Sequence, residues 1–359
     1  MSSSSLPLCV DLDGTLVNTD TFDEGVANTL RSPTTLLRLI TQLPTGKART
    51  KAMLAHTAPP DATTLPYNRP FLDWVRAQKA AGRYIVLVTA ANETIAHQVA
   101  KHLDLFDEVL ASTPARNLRG DAKGRALVER FGEQQFVYAG NDATDLRVWP
   151  LGAAAILVNA PRRLERALGE LPIEATFPGP RCRIDSAALR PMHAAKSLIS
   201  LLPLILLPTT GFAPLSVLTA LASIVVLFSG LYLLGGLLVL SADRRRRTPV
   251  RILTGTHGVR VTFALAAVFI SAGWLATAAA AGCLIPTLII LTFVLYVGWL
   301  QHQTLTAIMG LAALYLLRLL LGCTVFAVPL TLNLGITAGL ICLVVGFLGH
   351  RGLTAIDET

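Results

Sequence analysis

Apolar and polar residues are distributed very differently in the two halves of this 359-residue chain. Up to about residue 195, short apolar runs alternate with charged segments, a pattern typical of buried parallel strands and amphipathic helices. From about residue 198 onward, long apolar stretches are interrupted mainly by arginines. Stretches of that length predict membrane spans. The pattern therefore predicts an α/β domain followed by an all-α transmembrane bundle.

About six candidate spans follow from the apolar stretches of the second half, and most of them reach the roughly 18 residues needed to cross a bilayer. They cover residues 197–210, 214–240, 260–281, 284–300, 306–329 and 332–349. The first is short and contains Pro203 and Pro208. An even number of spans places both ends of the chain on the same side of the membrane.

The overall composition agrees with this division, because 52% of the residues are hydrophobic and the mean hydropathy is +0.55. The basic run Arg244–Arg247 marks the loop after the second span as cytoplasmic, by the positive-inside rule. The polar first residues do not form a signal peptide. We expect a multi-pass protein of the bacterial inner (plasma) membrane, with its soluble domain and both termini in the cytoplasm. Its basic residues then face lipid headgroups, and no nucleic-acid partner is expected.

Four apolar runs of the first half predict buried parallel strands. They are Leu8–Val10, Tyr84–Thr89, Phe136–Gly140 and Ala155–Asn159. The segment of about 18–83 has apolar residues at helical spacing, which predicts a helical insertion that caps the active site. Its basic residues, Lys51 among them, either meet an anionic substrate or form a solvated face. We place the α/β domain at 1–180, a linker at 181–196 and the membrane domain at 197–359.

The first strand ends in two carboxylates and a glycine turn. Asp11 and Asp13 occupy alternate positions after Val10, and Gly14 and Thr15 follow them. Open α/β sheets bind ligands at the carboxyl ends of their strands, so both carboxylates are candidate active-site groups. The alternative is that Asp-Gly is only a hairpin turn.

Four further candidate residues follow later strands or lie in the segments between them. Thr89 ends the second predicted strand and either binds an anion or caps the next helix. Lys123 lies between Thr89 and the motif that follows Gly140. After Gly140, two carboxylates at Asp142 and Asp145 flank a candidate metal site, because hard oxygen ligands suit Mg²⁺.

Together these motifs resemble those of the haloacid dehalogenase (HAD) superfamily of phosphohydrolases, whose first motif is Asp-x-Asp-Gly-Thr. The resemblance implies a Rossmann-like domain with a small helical cap, with Asp11 as nucleophile and Asp13 as general acid and base. It also implies that phosphate is bound by Thr15, Thr89 and Lys123, and that Mg²⁺ is bound by Asp11, Asp13, Asp145 and Asp142. The chain departs from the pattern at Asn141, where the superfamily usually has an acidic residue.

The order of the motifs is similar to that of HAD domains fused to membrane prenyltransferases of the UbiA type, and the membrane half resembles those enzymes in a degenerate form. Where that family has Asn, Asp and Asp in its first metal-binding motif, this chain has Gly235, Gly236 and Val239. Asp243 remains, and Arg318 lies within a predicted span. Arg318 either binds a headgroup phosphate or has its charge met by a neighbouring carbonyl.

The resemblance implies a phosphatase that acts on a polyprenyl-linked phosphosugar, in the synthesis of a prenyl-phosphate pentose such as an arabinose donor for glycan or Nod-factor decoration. A separate transferase or epimerase is an expected partner of such an enzyme, beside the lipid bilayer itself. Two alternatives stay open. The membrane domain either keeps prenyl or phosphoribosyl transferase activity, or serves as a non-catalytic scaffold for a transferase.

Overall fold

The chain divides into two compact units in the computed structural model. The amino-terminal unit comprises Met1–Ile184, Arg244–Thr248 and Leu253–Arg260, and the carboxyl-terminal unit comprises Asp185–Asp243, Pro249–Ile252 and Val261–Thr359. The structure describes residues 5–42, 44, 46–113, 115–179, 196–202, 214–246, 252–326, 328, 329, 331, 335–337, 339–344 and 347.

A six-stranded, entirely parallel sheet forms the centre of the amino-terminal unit, with strand order β3-β2-β1-β4-β5-β6. Its strands are β1 (Leu8–Val10), β2 (Ile85–Asn92), β3 (Glu108–Ser112), β4 (Val137–Gly140), β5 (Ala154–Val158) and β6 (Ile173–Phe177). The four strands predicted from apolar runs are confirmed, whereas the edge strands β3 and β6 were not predicted. The order reverses between β1 and β4, the position at which open α/β sheets bind ligands.

Seven helices accompany the sheet in the described part of this unit. They are α1 (Thr21–Thr29), α2 (Pro33–Gln42), α3 (Lys47–Thr57), α4 (Arg69–Ala80), α5 (Glu93–Leu103), α6 (Asp121–Phe131) and α7 (Arg162–Ala167). Alternate residues of each central strand enter two separate hydrophobic cores, one on each face of the sheet. In β1, for example, Leu8 and Val10 belong to one core and Cys9 to the other.

The helical insertion predicted for residues of about 18–83 is present, and only its first part forms a cluster of its own. Leu39 and Leu54, from α2 and α3, pack with Phe22 of α1. The last helix, α4, instead buries Phe71 and Val75 in the core that contains β1 and β2. The cap is therefore the three-helix segment from α1 to α3, and α4 supports the sheet.

Long apolar helices make up the described part of the carboxyl-terminal unit. They are α8 (Pro214–Arg245), α9 (Gly258–Ala281), α10 (Leu284–Gly298) and α11 (Thr304–Val325). The last residues of α8 and the first residues of α9 belong to the amino-terminal unit. Three are long and apolar enough to cross a membrane: Leu215–Arg245, Gly258–Ala281 and Thr304–Val325. α10 is shorter, with 15 residues. Much of the predicted spans 197–210 and 332–349 lies outside the described residues.

Candidate active site

The residues after β1 turn sharply at the carboxyl edge of the sheet. The Asp11 N–H donates to the Ala139 carbonyl over 3.1 Å, so pairing with β4 continues up to the first carboxylate. Gly14 has a φ of +77°, and a Cβ there would overlap the Asn141 side-chain amide. Glycine is therefore required at this position both by the backbone conformation and by the close approach of the loop after β4.

Asp11 forms a buried ion pair with Lys123 of α6. Lys123 Nζ donates to Asp11 Oδ1 over 2.7 Å, and the two side chains are only 5% and 10% exposed. Burial raises the pKa of Asp11 to about 6, against the opposing effect of the Lys123 charge. Burial lowers the pKa of Lys123, but the Asp11 and Asp145 carboxylates raise it by more, so that the net shift is upward. The pair therefore holds an ionised, oriented carboxylate at the end of the central strand, as a nucleophile requires.

Asp13 lies between the sheet edge and the cap. Its Oδ1 accepts a hydrogen bond of 2.8 Å from the N–H of Thr21, the first residue of α1. Burial and the neighbouring Asp20 carboxylate raise the pKa of Asp13 to about 7. A carboxyl group with a pKa near neutrality can give up and take back a proton at physiological pH, which is the property that a general acid and base needs.

The two threonines predicted to bind phosphate are completely buried. Thr15 lies in the turn after β1, and Thr89 lies within β2. Thr15 Oγ1 donates to Asn141 Oδ1 over 3.3 Å. Thr89 Oγ1 accepts a hydrogen bond of 2.9 Å from the Ala91 N–H. The N-cap of α5 is Asn92, so the alternative that Thr89 caps this helix is wrong. Their contact with phosphate stays a prediction.

Asp145 organises the loop after β4 rather than projecting freely into solvent. Its Oδ2 accepts hydrogen bonds from the N–H groups of Asn141 and Asp142, over 2.9 and 3.0 Å. Its Oδ1 accepts a third from the Tyr138 hydroxyl over 2.7 Å. Asp142 is exposed and caps the short 3₁₀ helix Ala143–Arg147. The structure thus places one predicted metal ligand in a hydrogen-bonded network and the other at the surface.

Tyr138 links the two halves of the site, although no sequence motif singles it out. Its hydroxyl accepts a hydrogen bond of 2.9 Å from Lys123 Nζ while it donates to Asp145. Burial and the Asp145 carboxylate raise its pKa, which keeps the hydroxyl protonated. Lys123 is therefore held between Asp11 and Tyr138. In the sequence, Tyr138 is one residue of an apolar strand, where an aromatic side chain ordinarily indicates core packing.

A cavity of about 340 Å³ brings the candidate residues together. Its wall comes from five parts of the amino-terminal unit. The segments after β1 and β4 contribute Asp11, Asp13, Asn141, Asp142, Thr144 and Asp145, and the cap contributes Asp20, Phe22, Asp23 and Lys51. The remaining lining residues are Ala90 of β2, Arg119, Gly120 and Lys123 at the start of α6, and Thr256, His257 and Arg260 of the segment Leu253–Arg260. The sequence predicted none of the residues from the last segment.

The donor chemistry of this cavity fits Mg²⁺. Within the described residues, no group of three or more His, Cys, Asp or Glu side chains is arranged as a preformed metal site. The predicted ligands Asp11, Asp13, Asp142 and Asp145 nevertheless all line the same cavity. Mg²⁺ commonly uses one or two protein carboxylates and retains several waters, so a set of hard oxygens of this kind is sufficient.

Asp243 and Arg318, the two candidates from the apolar second half of the sequence, belong to the carboxyl-terminal unit, where both are buried. The Arg318 guanidinium lies 4.0 Å from the centre of the Phe228 ring and donates to the Tyr232 hydroxyl over 2.7 Å. The Tyr315 ring is 5.3 Å away. Among the described residues, the Arg318 charge is therefore met by aromatic side chains and not by the neighbouring carbonyl that the sequence suggested. Asp243 lies near the end of α8.

Residues 8–149 match the family model of haloacid dehalogenase-like hydrolases. The match runs from the first residue of β1 to just beyond Asp145 and so includes the Asp11–Lys123 ion pair, the cap and the loop after β4. This part of the chain is therefore a hydrolase domain of the haloacid dehalogenase-like type.

Individual proteins resemble the chain to different extents. The uncharacterized protein y4nM of Sinorhizobium fredii (strain NBRC 101917 / NGR234) is 32% identical over 250 residues, which cover 68% of this chain and 48% of y4nM. The chain thus spans about half the length of that relative.

Among solved structures, a protein of unknown function from Bordetella pertussis Tohama I is 18% identical, with 47% of this chain and 97% of that chain covered and a TM-score of 0.36. The HAD family hydrolase t0658 from Salmonella enterica subsp. enterica serovar Typhi is 15% identical, with 48% and 66% covered and a TM-score of 0.36. A substrate-bound phosphoserine phosphatase is 14% identical, with 48% and 92% covered and a TM-score of 0.34.

Proposed function

We propose that the chain is a membrane-anchored, Mg²⁺-dependent phosphomonoester hydrolase with Asp11 as its nucleophile. One observation carries this proposal: a buried carboxylate at the carboxyl end of the central strand is paired with a buried lysine over 2.7 Å and opens into a cavity that also contains Asp13. An ionised carboxylate beside a proton-exchanging carboxyl group is the combination needed to transfer a phosphoryl group in two steps.

In the first step, an oxygen of Asp11 attacks phosphorus and the bond from phosphorus to the leaving-group oxygen breaks. Asp13 gives its proton to that oxygen, so the leaving group departs as a neutral alcohol. In the second step, Asp13 takes a proton from water, and the water oxygen attacks the phosphorus of the aspartyl phosphate. Phosphate is released and the Asp11 carboxylate is restored.

Several groups of the chain are placed to hold the transferring phosphoryl group. Lys123 provides the fixed positive charge, and its position is maintained by Tyr138. The N–H groups of Gly14, Thr15 and Leu16 donate to main-chain carbonyls, and that of Leu12 lies against the Asp11 carboxylate. We assign the N–H groups of Leu12 and Asp13, next to the nucleophile, to the phosphoryl oxygens. We assign the hydroxyl groups of Thr15 and Thr89 to the same role.

We assign a Mg²⁺ ion to Asp11, the main-chain oxygen of Asp13, and Asp145 or Asp142. When bound, Mg²⁺ offsets the repulsion between the carboxylate and the phosphate. The Asn141 amide lies beside this set, where it contacts Thr15. A neutral amide contributes less to the binding of a divalent cation than a carboxylate does.

Asp145→Ala should weaken Mg²⁺ binding more than Asn141→Ala, because only the first change removes a carboxylate and its three hydrogen bonds. We expect the Mg²⁺ concentration for half-maximal activity to rise by about 10- to 100-fold in Asp145→Ala. Asn141→Asp should tighten binding. The measurement is a Mg²⁺ titration of phosphatase activity for all three variants. An unchanged titration in Asp145→Ala would move the ligand assignment to Asp142.

We further propose that the long apolar helices anchor the hydrolase in the inner membrane, with both ends of the chain in the cytoplasm. Reporters fused at Ser3 and at Thr359 should then report the same side of the membrane. The test is a paired fusion with an enzyme that is active only in the cytoplasm and one that is active only in the periplasm. Opposite sides would require an odd number of spans and would contradict the six-span topology.

For the substrate, we propose a polyprenyl-linked phosphosugar on the route to a pentose donor, such as the arabinose donor of a glycan or Nod-factor decoration. The support is the combination of a phosphohydrolase site with a bundle of apolar helices, together with the resemblance of both halves to HAD domains fused to UbiA-type enzymes. A separate transferase or epimerase would act before or after this step. The experiment is phosphate release from a prenyl-phosphoryl ribose 5-phosphate by the full chain in detergent. Turnover supports the proposal, and prenyl or phosphoribosyl transfer by the same preparation would favour the transferase alternative.

A further inference from the structure

A turn from the second half of the chain belongs to the hydrolase unit. The segment Leu253–Arg260 comprises residues that precede α9 and the first three residues of α9, yet it is part of the amino-terminal unit. The Gly258 N–H donates to the Gly255 carbonyl over 2.8 Å, and Gly255 has a φ of +109°. This bond closes a four-residue turn whose two central residues are Thr256 and His257. The turn therefore presents these two side chains at its tip.

Ion pairs with the acidic start of the cap fix the turn in place. Arg260 contacts the carboxylates of Asp20 and Asp23, each over 3.1 Å. Arg244 donates two hydrogen bonds, of 2.8 and 2.9 Å, to the Glu24 carboxylate. The Arg244 and Glu24 side chains are only 13% and 6% exposed, so this pair is shielded from solvent screening. The end of α8 and the start of α9, which flank the turn in the sequence, are therefore both held by acidic residues at the start of α1.

The tip of the turn borders the proposed reaction centre. Thr256 Cγ2 lies so close to Gly14 that a Cβ on the glycine would be 2.7 Å from it. Thr256 and His257 line the same cavity as Asp11 and Asp13. The turn thus forms a wall of the cavity within reach of the catalytic aspartates.

The charged side chains of the cavity indicate which kind of ligand the turn contacts. Lys123 is paired with Asp11, and Arg260 with two aspartates. Arg119 and His257 also line the cavity and are exposed. The described residues give neither side chain a hydrogen bond or a salt bridge, although His257 lies close enough to the Asp23 carboxylate to interact with it electrostatically. Arg119 is permanently charged, and histidine donates hydrogen bonds in both its neutral and its charged form. Two donors of this kind remain for an anion other than the phosphoryl group that is transferred.

We propose that Thr256 and His257 form the leaving-group subsite of the hydrolase, and that His257 and Arg119 bind a second phosphate carried by the leaving group. The substrate class is then a sugar that bears two phosphate groups, one hydrolysed and one recognised. The recognised phosphate belongs either to a free sugar bisphosphate or to a lipid phosphodiester. Arg260 is a positioning residue that holds the turn. This inference rests on the proposed phosphatase function.

Binding to the full chain in detergent, in an Asp11→Asn background that prevents turnover, tests the subsite directly. Three ligands are compared by calorimetry: ribose 5-phosphate, ribose 1,5-bisphosphate and a short-chain prenyl-phosphoryl ribose 5-phosphate. Either ligand with a second phosphate should bind about 10-fold more tightly than ribose 5-phosphate, and His257→Gln should remove most of that difference. The control is His97→Gln, an exposed histidine of α5 outside the cavity, which should keep the full difference.

The two sources of the second phosphate are separated by the ligands. A preference for the bisphosphate that His257→Gln abolishes supports a free sugar bisphosphate, and a preference confined to the prenyl ligand supports a lipid phosphodiester. Arg260→Gln should reduce the same preference, and Arg260→Lys should restore part of it because the lysine can still pair with Asp20 and Asp23. A merely structural role of Arg260 would instead lower the affinity for all three ligands alike.

An equal affinity for all three ligands, or a preference that His257→Gln leaves intact, would overturn the subsite. Failure of the proposed function gives a different result. In that case, His257-dependent binding of the second phosphate would be present in Asp11→Asn, but the wild-type chain would release no phosphate from any of the three ligands.

Discussion

The Asp11→Asn variant is expected to lose at least about three orders of magnitude in kcat for phosphomonoester hydrolysis, without loss of the fold. Asparagine has the size of aspartate, and its carbonyl oxygen can still accept the hydrogen bond from Lys123 that spans 2.7 Å in the wild type. It lacks the negative charge that attacks phosphorus. Phosphate release and the thermal unfolding midpoint should be measured on the same preparation.

A matched control for this change is Asp73→Asn. Asp73 is an exposed residue of α4 that pairs only with Arg76 among the described residues, and surface ion pairs of this kind contribute little. The control should keep the wild-type rate. If Asp11→Asn retained more than about a tenth of that rate, Asp11 would not be the nucleophile.

Asp13→Asn should lower kcat by about 10²- to 10⁴-fold, because the second carboxyl group is required in both steps. The asparagine oxygen can still accept the N–H of Thr21, so the junction with the cap should be preserved. The loss should depend on the leaving group. An aryl phosphate whose phenol leaves without a proton should show a nearly normal first step, followed by slow release of phosphate.

The measurement is a rapid-quench comparison of an aryl phosphate with an alkyl phosphate in wild type and in Asp13→Asn. The aryl ester should give a burst of phenol in the variant, and the alkyl ester should give none. An equal loss of rate for both esters, with no burst, would argue against Asp13 as the general acid.

The central strands could be predicted from the sequence because each is buried on both faces and is therefore a continuous apolar run, as in β1 and β2. The edge strands could not. Residues of β3 and β6 are mostly only partly buried, so their sequences carry charged residues such as Glu108 and Glu174 and do not form an apolar run. The role of α4 was also not apparent, since helical spacing alone does not show which core a helix joins.

The candidate site residues Asp11, Asp13 and Lys123 could be predicted for a different reason. Asp11 and Asp13 lie in a local motif at a strand end, and Lys123 lies where the resemblance to the superfamily places a lysine, between Thr89 and the motif after Gly140. Tyr138 is the middle of an apolar strand, and only the folded chain shows that its hydroxyl lies between Lys123 and Asp145. His257 is more than a hundred residues away from the nearest motif in the sequence. Its place in the cavity depends on ion pairs between distant segments, which no local pattern reveals.

The central claim, that Asp11 becomes phosphorylated during turnover, is tested most directly by trapping the intermediate in Asp13→Asn. The variant is mixed with an aryl phosphate, quenched in acid and reduced with borohydride, which converts an acyl phosphate of aspartate to homoserine. Peptide mapping by mass spectrometry then locates the modified residue. We predict homoserine at position 11 and none in the matched Asp11→Asn/Asp13→Asn double variant. A burst of phenol accompanied by unmodified Asp11, or by homoserine at a different aspartate, would contradict the mechanism.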